Sequence, residues 1–299
     1  LRSVDPRYLA CVEGWYQALA AELKGLYWSD GGPVTVAQVD NETPDWKFLL
    51  ALKALSEKHG IEPVFYSKTG WPAPAPGYPA AYPMLPYFGG YPDIFFTSKM
   101  SPQPSSGAYR FGGDSPKHTV PAGYPYLGVE IGGGMAAAYN HRTHMFPEDM
   151  PSMHTVDVGE GFNGLGFYMY HGGNNPHSTV YIDDMDAPNT TLQESSFMPA
   201  GAQNPMPSES YDFFAPLGEF GQPRRHYHQM RRLHIMIESW APLLANTLPS
   251  APAELGGGVG ANSTVRWKVR TDENGAGFLF VNNYQRLQPL PAHEDVRFA

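Results

Sequence analysis

The order strand, helix, strand between Val34 and Tyr66 restricts the fold more than any other feature of the sequence. Val34-Thr35-Val36-Ala37-Gln38-Val39 is a β-branched run that ends at polar Asp40-Asn41-Glu42. The pattern predicts a helix next, over 44–59, with Trp46, Leu49, Leu50, Leu52 and Leu55 apolar and Gly60 as its stop. Ile61 to Tyr66 (IEPVFY) then reads as a second buried strand. Strands that alternate with helices argue for βα units and a parallel sheet, hence an α/β class. A helix before them is equally legible: Asp5 caps it, Pro6 takes the favoured first position, and Leu9, Val12, Tyr16, Leu19 and Leu23 share one face.

Three further buried strands are expected, at 93–97 (DIFFT), 126–131 (YLGVEI) and 165–170 (LGFYMY). Long stretches rich in Pro, Gly, Tyr and Ser separate them, at 71–92, 101–125 and 171–210. The chain holds 32 Gly and 30 Pro with no triplet period, which excludes collagen and points to shaped loops on a rigid scaffold. A basic helix is expected within 221–240, and past Pro242 the pattern changes. Ser263 to Arg270 alternates, and Asn274-Gly275 leads into Gly277 to Asn282, a hairpin that opens an all-β domain. We therefore divide the chain at residue 250, with 1–250 as the α/β part and 251–299 as the start of a β-sandwich-like domain.

Composition excludes several functions. Lys plus Arg number 20 against 29 Asp plus Glu, a net charge of −9, so the footprint of a nucleic-acid binder is missing. No apolar run reaches the roughly 18 residues of a membrane span. Aromatic residues make up 13% of the chain, too many for intrinsic disorder. The lone Cys11 forms no internal disulfide.

Two glutamates stand where strand ends would put them. Glu42 follows the strand that ends at Val39, and Glu130 sits near the C-terminal end of 126–131. In a βα barrel those ends face the active-site mouth. Paired carboxylates there suit glycoside hydrolysis, one as proton donor and one as nucleophile; ordinary rim carboxylates are the alternative. Other candidates carry less. His141, His144 and Glu148 match no known metal spacing, and no metal site is expected. Arg224-Arg225-His226-Tyr227-His228 reads most simply as a solvated helix face. Gly132-Gly133-Gly134 and Gly256-Gly257-Gly258 lack the lysine of a phosphate loop, and Ser115 lacks a nucleophile elbow. Asn189, Asn262 and Asn41 begin glycosylation sequons, of which the last would block the proposed site.

Several motifs together resemble glycoside hydrolase family 35, the β-galactosidases, bacterial members in particular. Gly31 to Thr43 (GGPVTVAQVDNET) is similar to the family's turn and strand ending in Asn-Glu. Leu1-Arg2-Ser3, Tyr168 to Asn175 (YMYHGGNN), Ser210 to Gly221 (SYDFFAPLGEFG), Arg225-His226-Tyr227 and Gly277 to Arg286 (GFLFVNNYQR) continue the likeness in the family's order.

The resemblance implies a (β/α)8 TIM barrel, with strands four to eight in this chain, followed by the start of an all-β domain. It implies retaining release of terminal β-D-galactose from an oligo- or polysaccharide, with no cofactor. Glu42 would be the acid/base and Glu130 the nucleophile, on the seventh strand. Asn41 would bond the sugar 2-hydroxyl, and Tyr168 and Tyr211 fall at sugar-site positions. Phe213 replaces a tyrosine found in several members. Tyr66 and Trp71 would offer flat faces to a pyranose, or simply pack. Retention requires the carboxyls about 5–5.5 Å apart; a hydrogen bond from Tyr168 would help keep Glu130 ionised. Strands one to three are expected from a longer polypeptide or a second chain, since open sheet edges do not fold alone. The expected setting is secreted or periplasmic, without nucleic-acid or membrane partners, and homo-oligomerisation stays open. The rival readings are a related exo-β-glycosidase for another sugar, and a carbohydrate-binding or structural protein on a retained barrel.

Overall fold

A computed structural model describes residues 2–41, 43, 45–67, 84–86, 88–90, 125–135, 144–176, 207, 209–250, 263, 265–286 and 289–298. The expected strand at 93–97, the long loops at 101–124 and 177–206, His141, Asn189, Asn262, Ser115 and Gly256-Gly257-Gly258 lie outside them. The chain divides into two compact units, Leu1–Gly89 with His118–Leu127, and Gly90–Lys117 with Gly128–Ala299.

In the first unit the order helix, strand, helix, strand follows the sequence reading, while a short third strand falls inside the stretch at 71–92 expected as loop. Helix α1 (Pro6–Leu23) starts at Asp5, whose carboxylate accepts from the Arg7 amide at 2.8 Å. Strand β1 (Val36–Gln38), helix α2 (Trp46–Lys58), strand β2 (Val64–Ser67) and the short β3 (Leu85–Pro86) follow. The three strands pair in parallel, with Val36 beside Val64, Gln38 beside Tyr66 and Tyr66 beside Leu85. Tyr16, Leu19 and Leu23 of α1 close over buried Leu49, Ile61, Phe65 and Met84. Each such buried side chain contributes about 1.5–3 kcal/mol. Both strands are shorter than the apolar runs that announce them. Val34 pairs instead with Tyr27, and the Ile61 amide closes helix α2 on Ser56, while Pro63 has no amide to give.

Strand β4 (Phe88–Gly90) precedes the second unit, which contains β5 (Leu127–Gly132), α3 (Asp149–Gly159), β6 (Gly164–Tyr168), β7 (Gly173–Asn174), β8 (Ser210–Tyr211), α4 (Arg225–Ala245), β9 (Leu248–Ser250), β10 (Arg266–Thr271) and β11 (Gly277–Asn282). Strands β5 and β6 are sheet neighbours. They run the same way: Gly166 lies against Val129, and further along the Gly133 amide donates to the Tyr168 carbonyl at 3.5 Å. Among the described residues the strands form small separate sheets rather than a closed barrel.

Two findings correct the expected element list. Helix α3 goes unannounced because it is buried nearly all round, with Met150, Met153, His154, Val156 and Val158 inside, so no polar stripe sets its period. Helix α4 runs through Pro242 to Ala245. A proline in the last turn removes one amide bond, and Asn246 covers the Pro242 carbonyl at 2.9 Å.

Strands β9, β10 and β11 make one antiparallel sheet in the order β11-β10-β9. Asp272 accepts from the amides of Asn274 and Ala276, both at 2.9 Å, and Gly275 takes the left-handed φ of +82° that closes the hairpin. Phe280 of this sheet joins Val156 and Val158 of α3 and Leu244 of α4 in one core. Arg270 is fully buried there. Its five N–H groups meet Val158 O, Phe162 O, Leu244 O, Thr247 O and Thr247 Oγ1 at 2.9–3.3 Å, capping the C-terminal ends of both helices. At the other end of α3, buried Asp149 accepts from the Phe146 amide, the Tyr284 hydroxyl and the Arg286 guanidinium. Burial raises the Asp149 carboxyl above its ordinary value and outweighs the Arg286 charge.

Candidate active site

In the first unit the turn after β1 is tied on every side. Asp40 accepts from Arg2 and from the Asn41 amide, both at 2.7 Å. Gln38 Nε2 donates to Asn41 Oδ1 at 2.8 Å, and Ser67 Oγ donates to the Asp40 carbonyl at 2.8 Å. Arg2 also donates to the Asn41 carbonyl. Beyond position 42, Thr43 is buried and Asp45 caps α2 through the Lys47 and Phe48 amides, each at 3.1 Å. Asn41 and Tyr66 therefore share one strand end, with Tyr66 beside Gln38 in register. Burial raises the Tyr66 phenol above its ordinary value. Glu42 and Trp71 lie outside the described residues.

The second unit gathers Glu130, Tyr168 and Tyr211 on adjoining segments. Glu130 stands on β5, half-buried, two residues before the glycine run. That run meets a different segment at each step. The Gly132 carbonyl accepts from His154 Nε2 at 2.8 Å. A Cβ on Gly133 would lie 2.2 Å from the Met169 carbonyl oxygen, and one on Gly134 would lie 2.2 Å from that of Phe213. Glycine is required at both positions by close backbone approach. The Tyr168 and Tyr211 hydroxyls are 2.9 Å apart, and the Phe213 ring packs edge-on against Tyr168 at 5.2 Å. One hydroxyl donates to the other, so the pair keeps a proton for a further acceptor.

The loop carrying Tyr211 is held from behind. Phe213 and Phe214 both adopt left-handed backbone, φ +58° and +49°, which non-glycine residues keep only under constraint. The constraint is Asp212, which accepts from Arg224 at 2.6 Å and from the Glu219 amide at 2.8 Å. Burial alone would raise the Asp212 carboxyl, but the Arg224 bond and the amides hold it below its ordinary value. Glu219 in turn accepts from Ser210 Oγ and Asn174 Nδ2, both at 2.5 Å. His226 is buried and hydrogen-bonded to the Phe214 backbone, and burial beside Arg224 takes its imidazole down to about 4.

The basic run at 224–228 is thus only partly a solvated face. Arg224 and His226 brace the loop, while Arg225 and His228 are exposed. Arg2, Asp212 and the glycines escape a reading by residue chemistry because their work is done by backbone fit. The one available signal was a triple glycine that starts two residues after a strand-end glutamate. Among the described residues no three His, Cys, Asp or Glu side chains gather as a metal site, and Glu148 faces Arg225 at 3.6 Å. A cavity of about 310 Å3 opens beneath α4, lined by Phe162, Leu165, Phe167 and Ile237. It lies towards the start of β6 rather than the Tyr168 end, and its wall is mostly apolar, with His234, Glu238 and Arg270 also on it.

The second unit is thus an α/β arrangement in which the strand of Glu130 adjoins the strand of Tyr168, whose hydroxyl is paired with that of Tyr211. The sequence places it further: residues 1–237 match the family Glycosyl hydrolases family 35, and the chain belongs to that family. The β-galactosidase of Canis lupus familiaris is 26% identical over 242 residues, 78% of this chain and 31% of that protein. Beta-galactosidase 17 of Arabidopsis thaliana is 24% identical over 226 residues, 74% of this chain and 29% of that protein. A 42-residue stretch is 50% identical to the β-galactosidase of Homo sapiens, 14% of this chain and 6% of that protein. The chain spans about a third of the length of the longer-matching relatives. Among the described residues no helix is long and apolar enough to cross a membrane.

Proposed function

We propose that this chain carries the catalytic residues of a retaining exo-β-galactosidase that removes terminal β-D-galactose from oligo- or polysaccharides. It would hold strands four to eight of a (β/α)8 barrel within 1–250 and open a β-sandwich-like domain at 251–299, in a secreted or periplasmic protein. Glu42 protonates the glycosidic oxygen while Glu130 attacks the anomeric carbon, forming a glycosyl-enzyme and releasing the aglycone. Glu42 then takes a proton from water, whose oxygen displaces Glu130 and restores the β anomer. Asn41 bonds the 2-hydroxyl, Tyr168 and Tyr211 bond the nucleophile and sugar, and Tyr66 and Trp71 line the pyranose face. No cofactor takes part. The observation that carries this reading is the strand end of Glu130, whose glycine run packs on the segments of Tyr168 and Tyr211 in a chain of family 35.

The test is hydrolysis of a panel of aryl β-glycosides by the full-length natural polypeptide and by its Glu42→Gln and Glu130→Gln variants. The galactoside should turn over with retention, and either substitution should lower kcat by at least about 10²–10⁴-fold. Galactoside turnover that survives Glu130→Gln removes Glu130 as nucleophile. Preference for another glycoside refutes the galactose assignment, and no turnover of any glycoside leaves the carbohydrate-binding or structural alternative.

A further inference from the structure

We infer that His154 is a positioning residue for Glu130: its neutral imidazole, through one hydrogen bond and one ring contact, clamps together the ends of the two strands that carry Glu130 and Tyr168. The inference rests on the proposed role of Glu130. Three consecutive glycines follow Ile131, and glycine has more backbone freedom than any other residue, so this end of β5 has no side chains of its own to fix it. The His154 bond to the Gly132 carbonyl, at 2.8 Å and fully buried, is much tighter than the 3.5 Å bond from the Gly133 amide to Tyr168. The same ring lies 4.7 Å from Phe167, the residue before Tyr168.

The tautomer is dictated by the surroundings. Nε2 faces a carbonyl and must donate, while Nδ1 is buried without a partner and so carries no proton. Burial holds the imidazole neutral down to about 3, with His234 and His226 adding to the effect. The helix that delivers His154 cannot yield along its axis. Arg270 grips its C-terminal end at Val158, and Arg286 and Tyr284 grip Asp149 at its start. Helix α3 thus acts as a splint behind β5, with His154 as its point of contact. Misplacement of a reacting group by about 1 Å lowers turnover on the order of 10²-fold.

The test compares His154→Gln, whose amide nitrogen can reach the position of Nε2, with His154→Met, which fills the space without a donor, both in the full-length polypeptide. Hydrogen exchange of peptides covering 126–135 and 164–170 reads the clamp directly and needs no activity. His154→Met should speed exchange in these peptides about tenfold and lower kcat on an aryl β-galactoside 10- to 100-fold with KM within twofold. His154→Gln should restore both towards the wild type. Unchanged exchange in His154→Met overturns the inference. So does equal impairment of both variants with matching losses of melting temperature, since that pattern belongs to packing alone. Exchange behaving as expected in a protein that cleaves no β-galactoside upholds the clamp and removes the proposed function instead.

Discussion

Replacing Arg270 with methionine should be among the most damaging single changes available in the second unit. The guanidinium is fully buried and uses all five N–H groups on Val158 O, Phe162 O, Leu244 O, Thr247 O and Thr247 Oγ1. Methionine fills much of the volume but removes all five bonds at once, although Val158 O and Leu244 O keep the backbone amides of Gly161 and Thr247 as donors. At about 0.5–1.5 kcal/mol per lost bond, partly offset by no longer burying a charge, the net loss is about 3–5 kcal/mol. That corresponds to a fall in melting temperature of roughly 10 °C for a unit of this size. Calorimetry of the full polypeptide measures it, and hydrogen exchange of peptides over 156–163 and 240–247 localises it. Arg270→Lys, with three donors, should fall between. Arg7→Met, whose side chain is 91% exposed, should change stability by less than about 0.5 kcal/mol. An Arg270→Met protein that melts within about 2 °C of the wild type, with normal exchange at both helix ends, would refute the capping argument.

Gly134→Ala should destabilise by about 1–3 kcal/mol, because its Cβ would stand 2.2 Å from the Phe213 carbonyl and the Tyr211 loop would have to move. Gly14→Ala in α1, where a Cβ meets nothing within 4 Å, should instead raise the melting temperature by the equivalent of about 0.5–1 kcal/mol. Acid should weaken the fold earlier than carboxylate titration alone would. His154 and His226 fall from an ordinary 6.5 to about 3 and about 4 on folding. The unfolded chain therefore binds more protons below pH 6.5, and stability is full above that pH and is lost as pH falls towards the folded values. Each histidine contributes a slope of up to about 1.4 kcal/mol per pH unit. Urea midpoints that stay flat from pH 7 to pH 4.5 would contradict this. Tyr211→Phe deletes the 2.9 Å bond to Tyr168 and should lower stability by about 1 kcal/mol and kcat/KM on an aryl β-galactoside by about tenfold; unaltered kinetics would remove Tyr211 from the site.

The sequence made legible whatever has a period or a local cap. Asp5-Pro6, the α2 stripe, the 34–39 run and the Asn274-Gly275 hairpin all express short-range rules, and each element stands within a few residues of its expected place. The strand end of Glu130 was legible for the same reason. Helix α3 was not, since a helix buried all round has no polar face to reveal its turn. The glycines after Glu130 were recognisable only as lacking a phosphate loop's lysine. Their fit against Met169 and Phe213 joins residues about 35–80 positions apart, and no local pattern encodes that. His154, Arg270 and Asp149 were silent too. Each is a polar residue inside a core, explained only by partners that the chain brings together from elsewhere.

The Asp149–Arg286 ion pair spans 137 residues of chain. A ribosome adding about 5–20 residues per second needs on the order of ten seconds to reach Arg286 after Asp149 has been made. For most of that interval, until Arg270 is made, α3 has neither of its arginine anchors, and Met150, Met153 and Val156, all buried in the finished protein, have incomplete cover. The nascent chain therefore offers a methionine-rich apolar segment to chaperones for a fixed and calculable time, and slowing translation anywhere between 150 and 286 lengthens that exposure without altering a single residue.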